Sequence, residues 1–243
     1  MADTYVLVHG AWHTGELMEP VAQHLRAMGH TVRCPTLAGN RPGDDRTRTG
    51  LSEAARSLVE YVEQQQLNDV RLVGHSYGGM VISQAASALL PRLKRLVYWN
   101  AFVPLNGQCL NDLVPPHYVA LFEGMAAANG NAVMLPYPIW RDAFINDADA
   151  ALAERSYALL NPHPYRTFTE PASLPVELAA LEVGKRSDGS YWARIEFRTE
   201  VGLTMSQWSC PNWAQLLADI DRKRAEYNCP IFPIEEPTAA HWT

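Results

Sequence analysis

The sequence is poor in charge of either sign. Charged residues make up 19% of the 243 positions, and 20 Lys and Arg stand against 26 Asp and Glu, a formal net charge of -6. No basic stripe runs along any segment, which argues against a nucleic-acid partner. No apolar run approaches the roughly 20 residues that a membrane-spanning helix needs, so no membrane partner is expected. The first residues, Met1-Ala2-Asp3-Thr4, carry no basic stretch and lead directly into Tyr5-Val6-Leu7-Val8. No secretory signal is expected on that pattern, and the protein reads as cytoplasmic. Cysteine is scarce: Cys34, Cys109, Cys210 and Cys229. They form no Cys-x-x-Cys pair and no zinc-site spacing, which speaks against a cysteine-built metal centre and fits scattered reduced thiols. Internal repeats, coiled-coil heptads and low-complexity stretches are lacking as well.

What is present is a globular composition, 47% hydrophobic, long enough to bury one sizeable core in a single α/β domain. Its rhythm is strand, turn, helix. Tyr5-Val6-Leu7-Val8 is a short continuous apolar run closed by His9-Gly10, as in a strand buried on both faces. The spacing of Leu17, Val21, Leu25 and Met28 predicts a helix over 17–28, stopped by Gly29. His30 to Cys34 reads as a second strand. A polar loop follows over 38–50, then a helix over 51–65 with Ser52 as its cap and Glu53 in its first turn. Val70 to Val73 is a third buried strand, 80–90 a helix, and 93–102 a further strand. This alternation predicts a mostly parallel central sheet with helices on both faces. From Pro104 to about Pro175 prolines, methionines and aromatics become frequent. Short helices are expected over 119–128, 139–145 and 148–160, forming a small helical cap over the sheet's C-terminal edge. Beyond 190 the texture changes again, with Trp192, Trp208, Trp213 and Trp242, four of the seven tryptophans.

The strongest chemical signal is Gly74-His75-Ser76-Tyr77-Gly78-Gly79. It matches G-x-S-x-G between a predicted strand and a predicted helix, the nucleophile elbow. The spacing has a physical reason. Ser76 must occupy a tight, strained turn to project its hydroxyl above the sheet, and side chains at Gly74 or Gly78 would block the close backbone approach. The helix that follows turns its amides and its positive end towards developing negative charge. The second signal is His9-Gly10-Ala11. A loop after an early strand supplies one oxyanion N–H and the residue after the nucleophile supplies the other. Here these are the amides of Ala11 and Tyr77, while His9 and His13 are read as packing the loop.

With these motifs the chain resembles the α/β-hydrolase superfamily. Val6-Leu7-Val8-His9-Gly10-Ala11-Trp12-His13 and Leu72-Val73-Gly74-His75-Ser76-Tyr77-Gly78-Gly79-Met80 look like the group of plant methyl esterases and hydroxynitrile lyases and their bacterial esterase relatives. Phe144-Ile145-Asn146-Asp147 and Thr167-Phe168-Thr169-Glu170-Pro171 fit too. The general likeness is to bacterial pyrethroid-hydrolysing carboxylesterases and covers roughly residues 4–180. Hydroxynitrile lyases of this group carry threonine where this chain has Gly10, which favours hydrolysis here. The resemblance implies an enzyme that needs no cofactor and no metal and whose partner is a small-molecule ester.

The resemblance also implies an order along the chain of nucleophile, acid, histidine. Of the eight histidines, His9, His13, His24, His30 and His75 precede Ser76, and His117 and His163 fall in the cap. That leaves His241 as the base. For the acid, the alternating run Trp192 to Thr199 is the late strand and Glu200 the carboxylate near its end, with Asp188, Asp219 and Asp221 as alternatives. Residues from about 185 onward form a C-terminal segment that diverges from the family pattern. Candidate pocket residues are Trp12, Phe102, Phe122, Met125 and Trp140 beside Tyr77. The activity expected is ester hydrolysis through a Ser76 acyl-enzyme. Lactone or cyanohydrin cleavage on the same site, and a non-catalytic hydrolase-fold binding protein, are the alternatives.

Overall fold

In the computed structural model, residues 2–174, 176–185, 187–188, 190–199 and 202–226 are described. The chain divides into two compact units, Met1–Ala172 and Ser173–Thr243.

The first unit is built on a four-stranded parallel sheet. Its strands are β1 (Thr4–Val8), β2 (Thr31–Arg33), β3 (Val70–Ser76) and β4 (Leu93–Ala101), in the order β2-β1-β3-β4. Parallel neighbours cannot be joined by tight hairpins, so each connection carries a helix. These are α1 (Glu19–Ala27), α2 (Leu51–Gln64) and α3 (Gly78–Leu89). Side chains alternate across the strands. Tyr5, Leu7, Val73 and Val97 cluster with Met18, Ala22 and Leu25, so α1 covers one face of the sheet. α3 packs on β3 and α2 packs on α3. Every residue of β1 from Val6 to Val8 is buried, as the continuous apolar run predicts.

The buried stripe of α1 differs from the expected one. Leu25 packs against the core as expected, but Val21 and Met28 are exposed, and Met18 and Ala22 are buried in their place. A short 3-10 turn over Gly15–Met18 precedes the α-helix, and its tighter winding shifts the phase of the residues that follow. The cap of α2 is also corrected. Its N-cap is Gly50, whose N–H donates to the Glu53 carboxylate at 2.8 Å. Ser52 lies inside the first turn, where its hydroxyl and its N–H both donate to Glu170, 118 residues away. A carboxylate at a helix N-terminus is favoured by the unpaired amides there.

After β4 come α4 (Pro116–Ala128), α5 (Tyr137–Phe144), α6 (Ala150–Tyr157) and α7 (Arg166–Thr169). The strands β5 (Ala132–Val133) and β6 (His163–Pro164) pair antiparallel between them. α4 and α5 begin two to three residues earlier than the apolar pattern indicated because proline occupies their first turns, where its missing N–H costs nothing. Buried hydrogen bonds tie this segment to the sheet body. The Trp12 indole donates to the Val133 carbonyl at 3.0 Å, and Asn40 meets His163 at 3.2 Å.

The second unit contains the antiparallel meander β7 (Val176–Lys185), β8 (Tyr191–Thr199) and β9 (Gly202–Cys210), followed by α8 (Trp213–Glu226). The alternating run Trp192–Thr199 is therefore a strand, flanked on both sides by antiparallel partners. Cys210 is buried, and its Sγ–H donates to Asp219 at 3.1 Å. No helix among the described residues is long and apolar enough to cross a membrane.

Candidate active site

Ser76 ends β3 with φ +53°, in the left-handed region that a side chain normally avoids. A non-glycine residue persists there only where the surroundings impose it. Two neighbours do so. A Cβ on Gly74 would lie 2.6 Å from the Gly78 carbonyl oxygen, and one on Gly78 would lie 2.6 Å from the Val8 carbonyl oxygen. Bare backbone at both positions lets α3 rise directly against β1 and β3. The Ser76 carbonyl accepts the Phe102 N–H at 3.1 Å, which fixes the elbow to the end of β4. The Ser76 side chain is half-buried, and its hydroxyl makes no hydrogen bond among the described residues.

Above Ser76 lies a cavity of about 250 Å³. Ala11, Trp12, Ser76, Tyr77 and Phe102 form its base, and Phe122, Phe144 and Phe168 lie among its aromatic walls. Leu110, Leu113, Val114, Pro115, Tyr118 and Ala143 also line it, so among the described residues no ionisable carboxylate, amine or guanidinium lines it. It opens where the strands of a parallel sheet end, the usual place for a ligand in this architecture. Trp12, Phe102 and Phe122 stand in the lining. Met125 does not: it stands one turn further along α4 than Phe122 and is only half-buried. Trp140 is buried away from the cavity between Tyr137 and Tyr157. Leu110, Val114, Tyr118 and Phe168 were missed in the sequence. Tyr118 and Phe122 sit four residues apart, a spacing that places both on one side of α4.

The turn after β1 faces the elbow. No turn or cap hydrogen bond among the described residues uses the Ala11 or Tyr77 N–H. The turn's histidines are occupied. His9 is fully buried, and its Nδ1 donates to the Gly10 carbonyl at 2.8 Å while its Nε2 accepts the Leu37 N–H at 3.1 Å. Burial pulls its titration down to about 4, so the ring is neutral at pH 7. His13 Nδ1 donates to the Ala11 carbonyl at 2.6 Å, and burial lowers its pKa also. His75 is lowered by burial first and by His13 second, and its ring lies against Trp99.

His163 is buried under Tyr77 and stacked on Phe168. Asn40 donates to its Nδ1 and Thr167 accepts from its Nε2 at 2.8 Å, so both ring nitrogens are used. Burial holds it well below the ordinary histidine range. It is a packed core histidine. His117 is exposed at the start of α4. His241 and Glu200 lie outside the described residues. Of the alternative acids, Asp219 accepts from Cys210 and Arg222, with the Cys210 thiol foremost in lowering its pKa. Asp188 accepts from Ser190 in its own turn, and Asp221 is exposed on α8. Among the described residues no group of three or more His, Cys, Asp or Glu side chains is arranged to hold a metal ion.

Comparison with known proteins places these features. The model of the alpha/beta hydrolase family matches residues 5–242. The chain is 40% identical over 153 residues to a carbendazim-hydrolysing esterase of Nocardioides sp. strain SG-4G, covering 60% of this chain and 63% of that protein. It is 33% identical over 163 residues to methylesterase 7 of Arabidopsis thaliana, covering 65% of this chain and 56% of that one. The chain thus spans less than two thirds of the length of either relative. Among solved structures it is similar to an extracellular alpha/beta-hydrolase from a Paenibacillus species, described as sharing structural and functional homology with tobacco salicylic acid binding protein 2. That match has 37% identity, a TM-score of 0.68 and coverage of 70% and 71% of the two chains.

Proposed function

This chain belongs to the α/β-hydrolase family, and from that premise we propose that it is a serine carboxylesterase acting on esters of small, largely apolar substrates. The observation that carries the reading is Ser76 held at φ +53° on the floor of an apolar cavity, between a strand and a helix. The Ser76 hydroxyl attacks the ester carbonyl. The amides of Ala11 and Tyr77 receive the oxyanion, and a preorganised donor of this kind is worth about 100- to 1000-fold in rate. The alcohol leaves, and water then hydrolyses the acyl-enzyme. His241 serves as the base that takes the Ser76 proton and returns it to the leaving alcohol, and Glu200 orients it, in the chain order these hydrolases share. The engagement of both nitrogens of His9 and of His163 supports a base elsewhere. The esterase and methylesterase names of the relatives support ester chemistry.

The test is hydrolysis of p-nitrophenyl acetate and butyrate by wild type, Ser76→Ala and His241→Ala, beside labelling with a fluorophosphonate. Wild type is expected to turn over and label, and Ser76→Ala to do neither. Undiminished hydrolysis by Ser76→Ala overturns the mechanism.

A further inference from the structure

We infer that Asn161 is a positioning residue for the oxyanion loop, an inference that rests on the esterase reading above. Trp12 directly follows the donor residue Ala11 and sits at φ +65°. A bulky side chain holds that conformation only when its surroundings impose it.

Three consecutive carbonyls of this turn are each held by a side chain. The Gly10 carbonyl is tied by His9 and the Ala11 carbonyl by His13, both from within the turn. The Trp12 carbonyl is tied from outside it. It accepts the Asn161 backbone N–H at 2.9 Å and the Asn161 side-chain amide at 3.0 Å, across 149 residues of sequence. With its carbonyls held in this way the turn is fixed, and Ala11, whose N–H serves no turn hydrogen bond among the described residues, lines the cavity over Ser76.

Asn161 is itself fixed. The next residue, Pro162, has its carbonyl held by the Arg46 guanidinium at 2.8 Å. The Asn161 Oδ1 is buried without a hydrogen-bond partner among the described residues. The polar contact of its carboxamide is therefore the Trp12 carbonyl. A side chain kept only for solubility or local turn geometry does not bury an unpaired oxygen to reach a carbonyl so distant in sequence.

Two variants test this. Asn161→Ala removes the side-chain donor. Asn161→Asp keeps the shape but sets an acceptor against the Trp12 carbonyl. Both are assayed with p-nitrophenyl butyrate and with a trifluoromethyl ketone, whose tetrahedral adduct places an oxyanion on the same amides. Misplacing a catalytic donor by about 1 Å costs on the order of 100-fold, and the backbone N–H of Asn161 survives in both variants. We expect kcat to fall about 10- to 100-fold, KM to stay within about 2-fold and ketone affinity to fall in step with kcat/KM. Asn161→Asp loses at least as much as Asn161→Ala. Unchanged kcat in both folded variants overturns the inference, as does a rise in KM with ketone affinity intact. Failure of both variants to fold overturns it too, by making Asn161 a purely structural residue. A wild type that neither turns over nor labels instead overturns the esterase reading, and the inference with it.

Discussion

A Cβ on Gly10 would stand 3.1 Å from the Cβ of Ser76. The turn after β1 and the elbow after β3 thus approach so closely that the first tolerates no side chain without displacement. Gly10→Ala is expected to lower kcat/KM for p-nitrophenyl butyrate by about 10-fold or more, because a displaced donor or nucleophile is costly. Gly10→Thr is expected to lower it further. Steady-state kinetics check this, and a Gly10→Thr enzyme as fast as wild type would refute it.

Ser76 pays for its exposure with backbone strain. Replacing it by glycine removes the steric cost of φ +53°, which for a side-chain-bearing residue is of the order of 1 kcal/mol. Ser76→Gly is therefore expected to have a free energy of unfolding in urea about 1 kcal/mol above that of Ser76→Ala, while both are inactive and unlabelled. Equal stability of the two variants would remove the strain argument.

Among the described residues the cavity lining offers an entering charge no ionised partner, and burying an unpaired charge is expensive. An acyl chain ending in a carboxylate, such as p-nitrophenyl hemisuccinate, is expected to react with kcat/KM about 100-fold below that of p-nitrophenyl butyrate. Comparable rates for the two esters would contradict an apolar acyl site.

Acid is expected to destabilise the fold through its buried histidines. His9 titrates near 4 when folded, against 6.5 for an ordinary histidine. The unfolded chain takes up the proton first, so the stability is complete above about pH 6.5 and is lost as pH falls towards 4. The amount is about 3 kcal/mol, and His163 acts in the same direction. His9→Gln is expected to be less stable than wild type at pH 7, with the gap narrowing by about 3 kcal/mol towards pH 4. Urea midpoints at both pH values measure it, and a gap independent of pH would sink the assignment.

Much of the fold was legible because its signals are local. The buried strands β1 and β3, the elbow around Ser76 and the turn at Gly10 each announce themselves within ten residues. α4, α5 and α6 were legible as helices, though not their first turns. Local pattern does not give facing. The stripe on α1 is rotated because a 3-10 turn precedes the helix, and the apolar character of Met125 and Trp140 does not say how far along a helix the cavity reaches.

The sequence alone determined the parallel α/β core and the tight turn that carries Ser76, because both follow from periodicity and from glycines at fixed spacing. Tertiary structure decided the rest of the described site. Whether His163 acts or merely packs depends on Asn40 and Thr167, and the orientation of the Ala11 amide depends on Asn161. Ser52 is a ligand of Glu170 rather than a cap for the same kind of reason. These contacts join residues up to 149 positions apart, and no local pattern records which distant polar group will satisfy a buried one.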